Sequence, residues 1–210
     1  MCHRVLPAPL RRCTTSTFDG QLSLNSTLPP WSRFAPVIIL VEPSLAENVG
    51  ASARAMLNCG VSELRLVNPL CEWGGPRSMA VAVGASGLLY ETKVFPSVEA
   101  SVADLHSVFA TSGRMRSDHL AAPRAIYTPK EVSQRIIERS ARGAKCGLLF
   151  GPERTGLYNP DLELAEALVH IPLNPSFTSL NLSQSVLLMC YEWMGVASGS
   201  DHRSSAFSGK

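Results

Sequence analysis

From Pro36 onward, short apolar runs alternate with segments in which small and apolar side chains recur at helical spacing. VIILV (Val37–Val41) predicts a strand, and ENVGASARAMLN after it predicts a helix. LRLV (Leu64–Val67), SVFAT (Ser107–Thr111), GLLF (Gly147–Phe150) and ALVHI (Ala167–Ile171) predict four more strands. Helical spacing recurs in RSMAVAVGA and VEASVADL (Val98–Leu105), and Leu180–Trp193 predicts a long apolar closing helix. In TPKE, Thr128 is placed to cap a helix running to about Arg139, with Pro129 at its first position and Glu131 completing a capping box. GRMRSDHLAAPRAIY, before it, reads as irregular and polar. Several strands are apolar throughout, which predicts an α/β fold: a mostly parallel sheet with helices on both faces.

Composition separates the ends from this body. The 210 residues are 45% hydrophobic and carry a net charge of +2, enough to bury one full core. Residues 1–34 are rich in Pro, Ser and Thr and hold Arg4, Arg11, Arg12 and Arg33 against Asp19. That bias fits a transit peptide or a disordered arm, so residues 1–34 are expected outside the fold, 35–197 as the domain and 198–210 as a flexible tail. The body holds 15 basic and 16 acidic residues, so affinity for nucleic acid would need local clustering of charge. Six dispersed cysteines with no C-x-x-C pair, and no His at metal-ligand spacing, predict free thiols and no metal site. His170 reads as a hydrogen-bonded core residue. No apolar run reaches the length that spans a bilayer.

Ligands of such sheets gather in loops at the carboxyl ends of the strands, which directs attention to four segments. EPSLAENVGASAR carries Asn48, Gly50 and, one turn on, Arg54 among small neighbours, where a guanidinium can grip a phosphate. TSGRMR places Arg114 and Arg116 beyond a strand end. GPERTG brackets Glu153 and Arg154 with glycines but contains neither a Rossmann fingerprint nor a P-loop. IPLNPSFTSLNLSQSV sets an Asn174-Pro175 turn before Thr178, Ser179 and Asn181, more polar groups than one helix cap needs. Each loop alone also fits an ordinary turn or cap.

Together these loops resemble the three signature motifs of the SPOUT superfamily of RNA methyltransferases, in its SpoU branch that methylates ribose 2′-hydroxyls. The motifs are N-x-G-x-x-x-R (Asn48 to Arg54), F-G-x-E-x-x-G (Phe150 to Gly156) and P-x-x-x-S-L-N, and the likeness covers roughly residues 36–195. Within the branch, LVEPSLAENVGASARAM, LRLVNPL and SLNLSQSVLLMCYEW look like the TrmJ type, which methylates a pyrimidine ribose in the tRNA anticodon loop, at nucleotide 32.

The resemblance implies a five- or six-stranded parallel sheet, a C-terminal deep trefoil knot, a homodimer, and S-adenosylmethionine bound in the knotted loops. It further implies a cofactor pocket of Thr111, Ser112, Gly113, Gly151, Ile171, Thr178, Ser179 and Leu180. Arg54, Ser179 and Asn48 are the implied catalytic residues, and Arg54, Arg114 and Arg116 the implied RNA contacts, with tRNA or rRNA as partner. Glu153 and Asn181 would organise the loops, a part Asn48 would share. The core fits a bacterial cytoplasm, and residues 1–34 would fit a mitochondrion or plastid.

Overall fold

Strands of β-branched and leucine side chains with no polar face can only sit between covering layers. In the computed structural model, which describes residues 28–113 and 123–199, VIILV and CGLLF lie side by side in the middle of a sheet. Its strands are β1 (Val37–Val41), β2 (Leu64–Val67), β3 (Lys93–Phe95), β4 (Ser107–Thr111), β5 (Ala125–Tyr127), β6 (Cys146–Phe150) and β7 (Ala167–Val169). They run in the order β3-β2-β1-β6-β4-β7-β5, every neighbouring pair parallel.

The sheet has seven strands rather than five or six. The two additional ones, β3 and β5, are three-residue edge strands with mostly exposed or half-buried side chains. An edge strand covered so lightly needs no apolar run, and β5 duly lies inside the segment expected to be irregular. The seventh strand is also shorter than ALVHI suggests, ending at Val169.

Among the described residues, seven α-helices cover the sheet: α1 (Ala46–Asn58), α2 (Pro76–Ala82), α3 (Ser86–Tyr90), α4 (Val98–Val102), α5 (Pro129–Ser140), α6 (Asn159–Glu163) and α7 (Leu182–Ala197). Because strand side chains alternate in direction, Ile38, Leu40, Leu66, Phe109, Leu148 and Phe150 face one core, closed by Val49 and Met56 of α1, Ile136 of α5 and Val186, Met189 and Trp193 of α7. Val37, Ile39, Val41, Leu149 and Leu168 face a thinner core closed by Val98 of α4 and Leu162 of α6. The RSMAVAVGA helix is broken: Val83 adopts φ 49° between α2 and α3, a strained left-handed conformation for a β-branched residue. Thr128 and Glu131 form the expected capping box on α5.

The fold also takes in residues before 35. Pro30–Phe34 form a 3-10 turn, and Trp31 and Phe34 pack against the larger core. Their two aromatic rings supply an apolar attachment that composition over the whole segment conceals. No helix of the described residues is long and apolar enough to cross a membrane.

At the amino ends of the strands, Arg65 of β2 is 2% exposed and donates to Glu63, Asp104 and the Ser101 carbonyl. Lys145 Nζ joins both carboxylates at 2.9 and 3.0 Å. This network ties the entries of β2, β4 and β6 together at the edge opposite the candidate loops. Removing the buried cation leaves two carboxylates sharing one lysine. Arg65→Met is therefore expected to lower unfolding free energy by about 3 kcal/mol, measured by urea denaturation; a loss within error would show that the network contributes nothing.

Candidate active site

The N-terminus of α1 lacks a cap of its own. Its N-cap residue is Leu45, which offers no side-chain acceptor. Glu153, from the loop after β6, instead takes the N–H groups of Leu45 and of Ser44 before it. Its carboxylate accepts from Ser44 N at 3.1 Å, Ser44 Oγ at 2.9 Å, Leu45 N at 3.3 Å and Asn48 Nδ2 at 2.8 Å. Desolvation pushes the Glu153 carboxyl up, but the donors from Asn48, Ser44 and the loop backbone outweigh it and hold the group below its ordinary value.

Asn48 passes the connection on. It is buried, and while its amide nitrogen serves Glu153, its Oδ1 accepts from Asn181 Nδ2 at 2.9 Å. Asn181 in turn caps α7, its Oδ1 accepting from Ser183 N at 2.9 Å and Ser183 Oγ at 2.7 Å. One hydrogen-bonded chain therefore joins the loop after β1, the loop after β6 and the start of α7.

Glycines allow the close approaches this requires. A Cβ on Gly50 would stand 2.1 Å from the Ser78 carbonyl oxygen, so α1 and α2 pack backbone against side-chain-free backbone. A Cβ on Gly151 would stand 2.2 Å from Leu157 N, and Gly156 at φ 68° completes the turn back, its N–H donating to the Pro152 carbonyl at 2.9 Å.

These loops enclose a cleft of about 300 Å³ at the carboxyl ends of β4, β6 and β7, at the small end of the range for ligand pockets. All eight residues predicted around a cofactor line it: Thr111, Ser112, Gly113, Gly151, Ile171, Thr178, Ser179 and Leu180. Thr111 Oγ1 donates to the Leu149 carbonyl at 2.9 Å and Ser112 N to the Val169 carbonyl at 3.0 Å, which fixes the first wall. The opposite wall turns at Asn174, whose Oδ1 accepts from Ser176 N at 3.0 Å. His170 is half-buried, its N–H donating to the Tyr127 carbonyl.

Other predicted residues lie elsewhere. Asn48 was expected both among the catalytic groups and as a loop organiser; both ends of its amide are engaged with the loops and it does not line the cleft, which fits the second role and not the first. Arg54 is exposed on α1, outside the cleft lining, and roughly 9 Å along the helix axis from Asn48. Arg114 and Arg116 lie outside the described residues. Conversely, Arg154, Leu157, Leu173 and Ser185 line the cleft without having been singled out for it. Ser185 could have been found as the residue one turn after Asn181, and Leu157 as the residue on which the glycine turn closes. A second groove, of about 540 Å³ between Ser44–Glu47 and Cys71–Arg77, contains none of the predicted residues.

Residues 35–191 match the SpoU rRNA Methylase family. Among curated proteins, the chain is 37% identical over 155 residues to the uncharacterized tRNA/rRNA methyltransferase LasT of Escherichia coli, covering 74% of this chain and 66% of that protein. It is likewise 37% identical to the tRNA (cytidine/uridine-2′-O-)-methyltransferase TrmJ of Sodalis glossinidius, covering 74% of this chain and 58% of that one. The match thus spans less than two thirds of the length of these relatives. Among solved structures, TrmJ from Z. mobilis superposes with a TM-score of 0.70 at 42% identity, over 81% of this chain and 72% of that one.

The hydrogen-bonded chain gives a pH-dependent expectation. Because the Glu153 carboxyl is depressed, its stabilisation is complete above the unfolded-state value of about 4.3 and fades as pH falls through the lower native value. Glu153→Gln should cost about 1–3 kcal/mol at neutral pH, with the difference from the parent shrinking below about pH 4. Denaturation curves at both pH values measure it, and a gap that stays constant would mean that the charge is not what the site uses.

Proposed function

The chain belongs to the SpoU rRNA Methylase family, and on that premise we propose that it transfers a methyl group from S-adenosylmethionine to a ribose 2′-hydroxyl of RNA. Its substrate in this reading is a pyrimidine ribose of tRNA, as the tRNA (cytidine/uridine-2′-O-)-methyltransferase activity named for its TrmJ relatives suggests, and the motif resemblance puts it at nucleotide 32 of the anticodon loop. The observation that carries the reading is that the second and third motif loops line one cleft, while the first, at the start of α1, is tied to both through Glu153, Asn48 and Asn181.

The cleft suits such a cofactor. Leu157, Ile171 and Leu180 offer apolar surface to a purine and its ribose, and Thr111, Ser112, Thr178 and Ser179 offer hydroxyls. Gly113 leaves space: a Cβ there would come no closer than 3.9 Å to the neighbouring Thr178 carbonyl. When bound, the sulfonium supplies an activated methyl group. The protein's own part is alignment and control of the hydroxyl proton. An arginine, with a reference pKa of about 12.5 or above, is a poor free base. Arg54 instead holds the phosphate beside the target ribose and lowers the hydroxyl's pKa electrostatically, while Ser179 orients the ribose at the cleft. Arg114 and Arg116 hold the tRNA backbone. Asn48 acts through Glu153 as a positioning residue.

In the same reading residues 35–197 form the methyltransferase domain, the segment from β7 to α7 is threaded as a trefoil knot, and the chain works as a homodimer. Leu187, Leu188 and Tyr191 support the dimer. They are exposed on α7 while Val186, Met189, Cys190 and Trp193 of that helix are buried, and a second copy would cover them.

Nucleoside mass spectrometry of unmodified tRNA, incubated with S-adenosylmethionine and the protein, tests the activity. A 2′-O-methylpyrimidine is expected, and Arg54→Ala should reduce its rate of formation at least about 100-fold without changing thermal stability. Arg54→Lys should also be impaired, since an ammonium cannot reproduce a bidentate grip. Product on rRNA alone would move the substrate, and no product on either RNA would overturn the reading.

A further inference from the structure

Glu153 and Arg154 are the two charged residues lining the cleft, and their situations are opposite. The Glu153 carboxylate is committed to Ser44, Leu45 and Asn48, so it has little left to offer a ligand. Arg154 is exposed, and among the described residues no carboxylate pairs with it. Its backbone position is nevertheless fixed. It stands between Glu153, anchored on the N-terminus of α1, and the Gly156 turn that closes back on Pro152 and Gly151. A guanidinium carried on a rigid loop at the edge of a ligand cleft, with its charge unspent, is an anion anchor in waiting.

Resting on the proposed methyl transfer, we propose that Arg154 binds the carboxylate of the cofactor's methionine moiety and so sets which end of S-adenosylmethionine lies beside the GPERTG loop. The cofactor carries one anionic group, and among the described residues the cleft wall carries one uncommitted cation to receive it. Fixing that end orients the molecule lengthwise, because the remaining polar side chains of the lining, the hydroxyls of Thr111, Ser112, Thr155, Thr178, Ser179 and Ser185, are neutral and do not distinguish an acid from an amine by charge. An RNA phosphate is the other source of an anionic oxygen within reach of an exposed arginine, and binding can separate the two.

The test titrates S-adenosylmethionine and 5′-methylthioadenosine, which lacks the amino-acid part, into the parent protein, Arg154→Gln and Arg154→Lys, and measures tRNA affinity in parallel. Arg154→Gln should weaken S-adenosylmethionine about 10-fold or more, leave methylthioadenosine unchanged and leave the melting temperature unchanged. Arg154→Lys should recover part of the loss. Equal weakening of both nucleosides, or none, would overturn the assignment, and weaker tRNA binding with intact cofactor affinity would transfer Arg154 to the phosphate. A parent protein that binds neither nucleoside would instead overturn the methyl-transfer reading on which the assignment rests.

Discussion

Three segments far apart in sequence meet at one carboxylate. Glu153 stands 105 residues from Asn48, and Asn48 stands 133 residues from Asn181, yet two side-chain hydrogen bonds of 2.8 and 2.9 Å connect all three. The constraint behind this is elementary. The N-cap residue of α1, Leu45, has no side-chain acceptor, and its own N–H and that of Ser44 need one. The loop after β6 therefore reaches across, and once it does, the position of the cleft's second wall is tied to the helix that carries Arg54. Asn181 extends the tie to α7, whose first residues border the third wall. The cleft is thus a consequence of capping as much as of packing.

The two ends of the sheet use charge differently. At the amino ends of the strands, Arg65 is buried and its partners are arranged around it, with Lys145 completing the neutralisation. At the carboxyl ends, one charge is consumed internally by Glu153 and one, on Arg154, is left over at the cleft. A charge satisfied by the fold stabilises it, whereas one left unpaired at a concave surface is available to a ligand.

Much of this was legible in the sequence because the strands buried on both faces are apolar throughout. VIILV, LRLV, SVFAT and the GLLF run all became strands within a residue of where they were read. The capping box at Thr128 and Glu131 was legible for the same reason that it works, a fixed spacing of complementary groups. The edge strands were not, since three half-exposed residues such as Lys93–Phe95 carry no periodic signal. The cleft-lining residues could be placed through motif resemblance, but the division of labour among the motif residues could not. Asn48 reads as a chemical group in a list of motifs, and only its neighbours reveal that both ends of its amide are occupied. Arg154, between two glycines, shows no periodicity, and its significance depends on Glu153 beside it being already engaged.

Asn48, which does not line the cleft, ties its walls together through Glu153 and Asn181. The affinity of S-adenosylmethionine for Asn48→Ala beside the parent protein, by calorimetric titration at neutral pH, tests whether that tie holds the walls in register. Removing that amide leaves Glu153 without one donor and Asn181 without its acceptor, so the account predicts about 10-fold weaker binding from a residue that does not line the cleft. Unchanged affinity in a folded Asn48→Ala protein would contradict it, leaving the loops positioned by packing alone.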